Sequence, residues 1–304
     1  MIEGEKIIEV RNLVKYYGSF CAVQDVSFDV YQGDVFGFLG PNGAGKSTTI
    51  RTLLSLIAPT SGEIKIFNKN ISSHRSEILT NIGCIVEKPD FYKYLSAQQN
   101  LEIALRLSGK NIPSIKIQET LEFVGLAGRE KDKVGGFSHG MKQRLGIAQA
   151  LIHDPKLIIL DEPTTGLDPQ GIIDIRNLIL KLKFEQNKTV LLSSHILSEI
   201  ELIANRMVII NKGKTIIQGS VKELLDEDFL EVVFTVDSVE KARAIIETKD
   251  ANVISSIDKN QITMHLPKEM VSTINKLLCD HQVGVSSIDA KRKLENYFLK
   301  LISN

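Results

Sequence analysis

Hydrophobic positions change period several times along the chain. Ile8 and Val10 alternate with charged neighbours, and Val26, Phe28 and Val30 alternate with Ser27, Asp29 and Tyr31. A period of two marks half-buried strands, so residues 7–39 read as an antiparallel opening. Residues 34–39 form an apolar run of strand length and residues 49–56 have helix-forming composition, so the segment between them joins a buried strand to a helix. Residues 62–67 and 82–86 are further strand candidates, the second ending at Glu87. From Ser96 the period becomes helical. Ser96 and Gln99 form a capping box ahead of Leu101, Ala104, Leu105 and Leu107, and Ile117, Leu121 and Val124 repeat at helical spacing. Leu145, Ala148, Leu151 and Ile152 share one face of a helix that follows Ser138, and residues 157–160 and 190–192 are short buried strands.

After Gly219 the rhythm tightens. Ser220 and Glu223 suggest a capped short helix. Residues 230–236 then read as strand, 239–248 as helix, 253–257 and 262–266 as strands around Asp258-Lys259-Asn260, 268–281 as helix and 283–288 as strand. This β-α-β-β-α-β order permits a small ferredoxin-like sandwich, followed by a last helix carrying Leu294, Phe298, Leu299 and Leu301. The expected division is therefore a large domain over residues 1–220 and an accessory domain over 221–304, which suits a chain of 304 residues. His265 and Asp280-His281 are too sparse for a metal site in that tail.

Composition adds mainly exclusions. The 37 basic and 37 acidic residues cancel, so nothing in the charge balance points to nucleic acid or an anionic surface as the main partner. Cys21, Cys84 and Cys279 form no paired or metal-like spacing and are expected to act as small apolar residues in a reducing compartment. No signal-type segment or membrane-spanning run is expected.

The chemistry concentrates in five places. Gly40-Pro41-Asn42-Gly43-Ala44-Gly45-Lys46-Ser47-Thr48 fits the phosphate-cradling pattern GxxxxGK[ST] in its strand-to-helix context. Its glycines let backbone N–H groups converge on phosphate oxygens at a helix N-terminus, Lys46 reaches the outer phosphates, and the Ser47 hydroxyl is placed to ligate Mg²⁺. Asp161 and Glu162 end the strand 157–160. There Asp161 suits the Mg²⁺ shell and Glu162 suits orientation or deprotonation of an attacking water; alternatively the pair caps the following helix. Ser138 and Gly140 open a helix whose hydroxyl, N–H groups and dipole can meet an anion, or form an ordinary N-cap. His195 ends a core strand, where α/β sites lie. Tyr17, before the turn at Gly18, can stack on an adenine face or serve as a plain strand-end aromatic.

Taken in order, these motifs over residues 7 to about 220 resemble the ATP-binding cassette of ABC transporters. Gly40 to Thr48 matches the Walker A loop, residues 157–162 the Walker B strand, Phe137 to Met141 the signature, Gly166 to Asp168 the D-loop, His195 the switch histidine and Tyr17 the adenine-stacking aromatic. The resemblance implies an α/β P-loop NTPase fold with a mixed sheet core, an antiparallel β subdomain and a helical signature subdomain, to which the small α+β tail is added. It also implies that two copies sandwich two ATP molecules, each phosphate loop facing Ser138 and Gly140 of the second copy, with Asp168 nearby. Glu162 would polarise the water and His195 would contact the γ-phosphate.

Two motifs depart from the pattern. The signature is usually Leu-Ser-Gly-Gly-Gln and here reads Phe137-Ser138-His139-Gly140-Met141. Glu87 stands where most cassettes carry a glutamine beside Mg²⁺ and the attacking water. A glutamate there should sit on the metal or be held protonated. Together with residues 86–92 it resembles the cassettes of bacitracin and lantibiotic self-protection exporters. The expected role is an ATPase that powers a separately encoded membrane permease from the cytoplasmic face, for antimicrobial peptide or lipid-type substrates. A soluble cassette acting on ribosome, nucleic acid or an assembly scaffold is the alternative. Against it stand the single cassette, the lack of a long coiled-coil insertion and the lack of a basic patch.

Overall fold

The computed structural model describes residues 4–110, 113–225, 229–247 and 253–292. Two compact units emerge, Met1–Val221 and Lys222–Asn304. In the larger one, β1 (Lys6–Tyr17) and β2 (Phe20–Tyr31) pair antiparallel, as their alternation demands. Ile8, Val10, Leu13, Val26, Phe28 and Val30 turn inward and are essentially inaccessible. Lys6 and Arg11 meet Asp29 on the other face. β3 (Val35–Leu39) does not extend this sheet, so the antiparallel opening ends at Tyr31 and not at residue 39. All five residues of β3 are buried, which only a strand flanked on both edges and both faces achieves.

α1 (Lys46–Leu53) leaves the loop after β3, and β4 (Ser61–Ile66) and β5 (Lys69–Asn70) complete the antiparallel sheet in the order β2-β1-β4-β5. α2 (Arg75–Leu79) leads into β6 (Ile82–Ile85). α3 (Ala97–Leu107) starts at a complete Ser96–Gln99 capping box, and α4 (Ile115–Phe123) and α5 (His139–Leu151) continue the helical third. Then follow β7 (Leu157–Leu160), α6 (Pro169–Phe184), β8 (Thr189–Ser194), α7 (Leu197–Glu201), β9 (Arg206–Asn211) and β10 (Lys214–Ser220). The second sheet runs β10-β9-β3-β8-β7-β6, parallel except where β10 returns antiparallel to β9. This is the mixed core. α6 and the β9–β10 hairpin were not among the expected elements, although their signals exist. Asp168-Pro169 supplies an N-cap followed by proline in the first helical turn, and Asn211-Lys212-Gly213-Lys214 supplies a tight turn.

The smaller unit is described by itself. After α8 (Val221–Leu225), which starts at the unit boundary, come β11 (Phe229–Val236), α9 (Val239–Glu247), β12 (Ile254–Asp258), β13 (Gln261–Pro267), α10 (Lys268–Asp280) and β14 (Val285–Arg292). Its antiparallel sheet has the order β12-β13-β11-β14, placing the first and third strands of the unit at the centre, as in a ferredoxin-like sandwich. Val232, Phe234, Ile262 and Met264 pack with Ala242, Ile246, Ile274 and Leu278 from the two helices. The helix expected over residues 294–301 lies outside the described residues.

Two aromatic contacts made by one ring join the two sheets beneath the phosphate loop. Phe28 of β2 lies 5.6 Å from Phe36 and 5.2 Å from Phe38, ring centre to ring centre, so the strand feeding the loop is braced by the antiparallel sheet. Phe28→Ala should cost the larger unit about 3–5 kcal/mol. The measurement is the urea midpoint of the transition that unfolds that unit, and an unmoved midpoint would show that the brace carries no load.

Candidate active site

The carboxyl ends of β3, β8, β7 and β6 place Gly40, His195, Asp161-Glu162 and Val86-Glu87 along one edge of the parallel sheet. That edge is where open α/β sheets build sites. Gly45 is the N-cap of α1 with φ 102, and a Cβ there would stand 2.6 Å from the Ala22 carbonyl oxygen, so both its conformation and its surroundings require glycine. Lys46 follows as the first residue of α1, only 5% exposed. Its Nζ donates to the Gly40 carbonyl at 2.9 Å and the Pro41 carbonyl at 3.3 Å, and lies 3.2 Å from Glu162 Oε1. Ser47 and Thr48 are half-buried in the first turn, Ala44 is buried, and Asn42 and Gly43 face outward.

Asp161 and Glu162 are set by a residue that the sequence analysis did not assign. Ser193, fully buried on β8, donates its hydroxyl to Asp161 Oδ1 at 2.6 Å and accepts the Glu162 backbone N–H at 2.8 Å. A single hydroxyl therefore fixes both acids. Glu162 has φ 48, a left-handed conformation costly to a non-glycine residue. Besides Lys46, its carboxylate accepts from Thr165 Oγ1 at 3.0 Å and lies 3.4 Å from His195 Nδ1. Partial burial pushes the Glu162 carboxyl upward. The charge of Lys46, the Thr165 and Lys46 hydrogen bonds and the charge at His195 outweigh that burial and hold it below its ordinary value of 4.5. His195 Nδ1 is buried and, among the described residues, makes no hydrogen bond; Glu162 is its near neighbour.

The remaining candidates lie apart from this cluster. Ser138 is the N-cap of α5, its Oγ accepting the Met141 N–H at 3.2 Å. Space around Gly140 is open, since an added Cβ would meet nothing within 4 Å. Asp168 caps α6 through the Gly171 N–H at 2.8 Å. Among the described residues, no hydrogen bond or ion pair links Ser138, Gly140 or Asp168 to residues 40–48. Tyr17 is 45% exposed, with Lys15 Nζ 5.2 Å from its ring centre. Glu87, also left-handed at φ 65, has its largely exposed carboxylate paired with the Arg51 guanidinium of α1. Arg51 and Thr165 join Ser193 as site residues that the sequence analysis missed. The signal available was the polar pair Ser193-Ser194 at a strand end. A partner 32 residues distant is invisible to spacing.

The donor set fits Mg²⁺ in one particular way. Among the described residues no group of three or more His, Cys, Asp or Glu side chains could hold a metal ion. One hydroxyl, Ser47, and one buried carboxylate, Asp161, suit a cation that keeps its waters and is shared with substrate phosphates. A cleft of about 440 Å³ lined by Gln32, Asn81, Lys156 and Thr189 lies at the amino ends of the same strands, remote from this chemistry.

Comparison with known proteins gives a consistent result. The family model described as ABC transporter matches residues 23–165. A bacitracin transport ATP-binding protein from Bacillus licheniformis is 44% identical over 298 residues, covering 97% of each chain. A lantibiotic transport ATP-binding protein from Streptococcus pyogenes is 43% identical over 228 residues, 75% of this chain and 96% of that protein. Among solved structures, a dimeric post-hydrolysis state of an ATP-binding cassette bound to ADP and phosphate is similar with a TM-score of 0.64 and 25% identity. That similarity covers 70% of this chain and 98% of the other.

The ion pair at Glu162 is directly measurable. With a folded pKa held below 4.5, this carboxylate contributes stability above its unfolded pKa and loses it as pH falls through the folded one. Carbon-detected NMR titration should place its midpoint below that of an ordinary glutamate. In Lys46→Met the midpoint should rise, because the first opposing charge is gone while burial remains. A midpoint that does not move would remove Lys46 as the cause.

Proposed function

This chain belongs to the ATP-binding subunits of ABC transporters, and on that premise we propose that it hydrolyses MgATP between two copies of itself to drive export through a separate permease. It is an ATPase whose turnover is coupled to transport. The observation that carries the mechanistic reading is the Glu162 carboxylate, kept ionised within reach of Lys46 and His195. Lys46 is satisfied by two loop carbonyls that it can exchange for outer phosphate oxygens when ATP enters. That exchange frees one Glu162 oxygen to accept a hydrogen from the attacking water and aim it in line with the γ-phosphate. His195 stands beside the same carboxylate as a donor to the γ-phosphate. Ser47 and Asp161 would hold Mg²⁺, which when bound would neutralise charge on the phosphates. Positioning and preorganised charge supply the rate, and no covalent intermediate is needed.

The open N-terminus of α5 supplies the other wall. Ser138 and Gly140 present a hydroxyl and N–H groups at the positive end of a 13-residue helix. The dimeric relative with ADP and phosphate supports a sandwich in which these groups meet the nucleotide of a second copy, with Asp168 beside it. Tyr17 offers a half-exposed ring to adenine. Glu87 would border the metal in this reading, with Arg51 competing for its carboxylate. The two curated relatives carry bacitracin and lantibiotics in their names, which supports an antimicrobial peptide as substrate class. No helix among the described residues is long and apolar enough to cross a membrane. In this reading the chain is peripheral on the inner face of the cell membrane, held there by its permease. Near-full-length similarity to transport subunits favours this over a role on ribosome or nucleic acid.

Two experiments test the reading. Glu162→Gln should lower turnover by about 10²-fold or more while an ATP-dependent dimer accumulates on size exclusion with light scattering. Hydrolysis at the parent rate would remove Glu162 as the group acting on water. Affinity purification of the tagged chain from detergent-solubilised membranes should bring down a stoichiometric multi-span protein, and recovery with ribosomes or a soluble scaffold instead would overturn the transport role.

A further inference from the structure

His139 occupies a signature position that resembling cassettes fill with glycine, and the side chain has a specific place to go. It is the first residue of α5, directly between Ser138 and Gly140. Its Nε2 lies 3.4 Å from the Thr165 carbonyl oxygen, which can only accept, so Nε2 carries the proton in this contact. The ring also lies over Gly166. At φ 78 that residue is left-handed, and a Cβ there would stand 3.5 Å from His139 Nε2, so the turn and the ring fit each other. Thr165 in turn holds the reacting acid twice. Its Oγ1 donates to Glu162 Oε2 at 3.0 Å and its N–H donates to the Glu162 carbonyl at 3.2 Å.

A continuous path therefore runs inside one chain from the N-terminus of α5 through His139 and Thr165 to the Glu162 carboxylate. Lys46 is drawn off Glu162 once phosphate arrives, because the phosphate carries the larger charge. Thr165 is then the neutral donor left to fix the carboxylate's direction. Small errors in such an orientation are costly to rate. We propose that His139 is a positioning residue that couples the two nucleotide sites: the α5 terminus engaged by one ATP is tied, through Thr165, to the Glu162 that acts on the other. This rests on the sandwich dimer proposed above. It adds a named intrachain connection between signature and acid.

The test uses the full chain and titrates ATP, reading kcat, half-saturating concentration and Hill coefficient. ATP-dependent dimerisation is measured separately in a Glu162→Gln background. His139→Gly should lower kcat by about fivefold, the value of one neutral hydrogen bond. Half-saturation and dimerisation should stay near parental values, while the Hill coefficient falls toward one. His139→Gln, whose amide can still donate to a carbonyl, should recover most of the loss. Thr165→Val should resemble His139→Gly, and Thr165→Ser should resemble the parent. Parental kcat and Hill coefficient in His139→Gly would overturn the proposal. So would a loss that His139→Gln fails to repair, or one accompanied by failure to dimerise, since a merely structural histidine gives those results. If Glu162→Gln alone forms no ATP-dependent dimer, the sandwich reading itself fails, and intersite coupling fails with it.

Discussion

A lysine that is 95% withdrawn from water dictates the arrangement around it. Burying an ammonium without partners costs far more than a domain of this size can spare, so Lys46 must be surrounded by acceptors. The two loop carbonyls satisfy part of its hydrogen-bonding capacity and Glu162 balances its charge. That requirement is met only because four strands end at the same edge. β3 delivers the loop, β7 delivers Glu162, β8 delivers Ser193 to fix the acids, and β6 accepts the Asp161 N–H at the Ile85 carbonyl. The ion pair is therefore a product of the sheet order and not of the loop alone.

The same edge separates two acids that adjoin in the chain. Asp161 points into the protein and receives the Ser193 hydroxyl, whereas Glu162 bends through a left-handed backbone toward Lys46. Alternation along a strand would send consecutive side chains to opposite faces. Here the turn at Glu162 brings the second acid back over the loop, and the cost of that backbone is offset by the Lys46, Thr165 and Ser193 contacts. Asp161 is left facing inward on Ser193, while Glu162 stays with Lys46, Thr165 and His195.

Much of this was legible in the residue order, because the chemistry is carried by short contiguous motifs. GxxxxGK[ST] between a strand and a helix, and an apolar run ending in two acids, each state their own context. The capping box at Ser96 and the cap at Ser138 were readable for the same reason, since their partners lie three residues away. What was not readable depended on distant pairing. Ser193 reaches across 32 residues, and Arg51 takes Glu87 from 36 residues away. The departure of β3 from the opening sheet is also of this kind. Its apolar sequence fits either sheet, and only the later strands β8 and β9 decide where it goes.

That last dependence has a consequence for the nascent chain. β3 and its loop are made early, yet both neighbours of β3 in the sheet come from residues 189–211. Through most of synthesis the strand has two unpaired edges, a state prone to wrong pairing. A ribosome stalled before β8 would hold a phosphate motif in full but no Ser193 to set the acids and no His195. The contacts that surround Glu162 are thereby assembled only in a finished cassette.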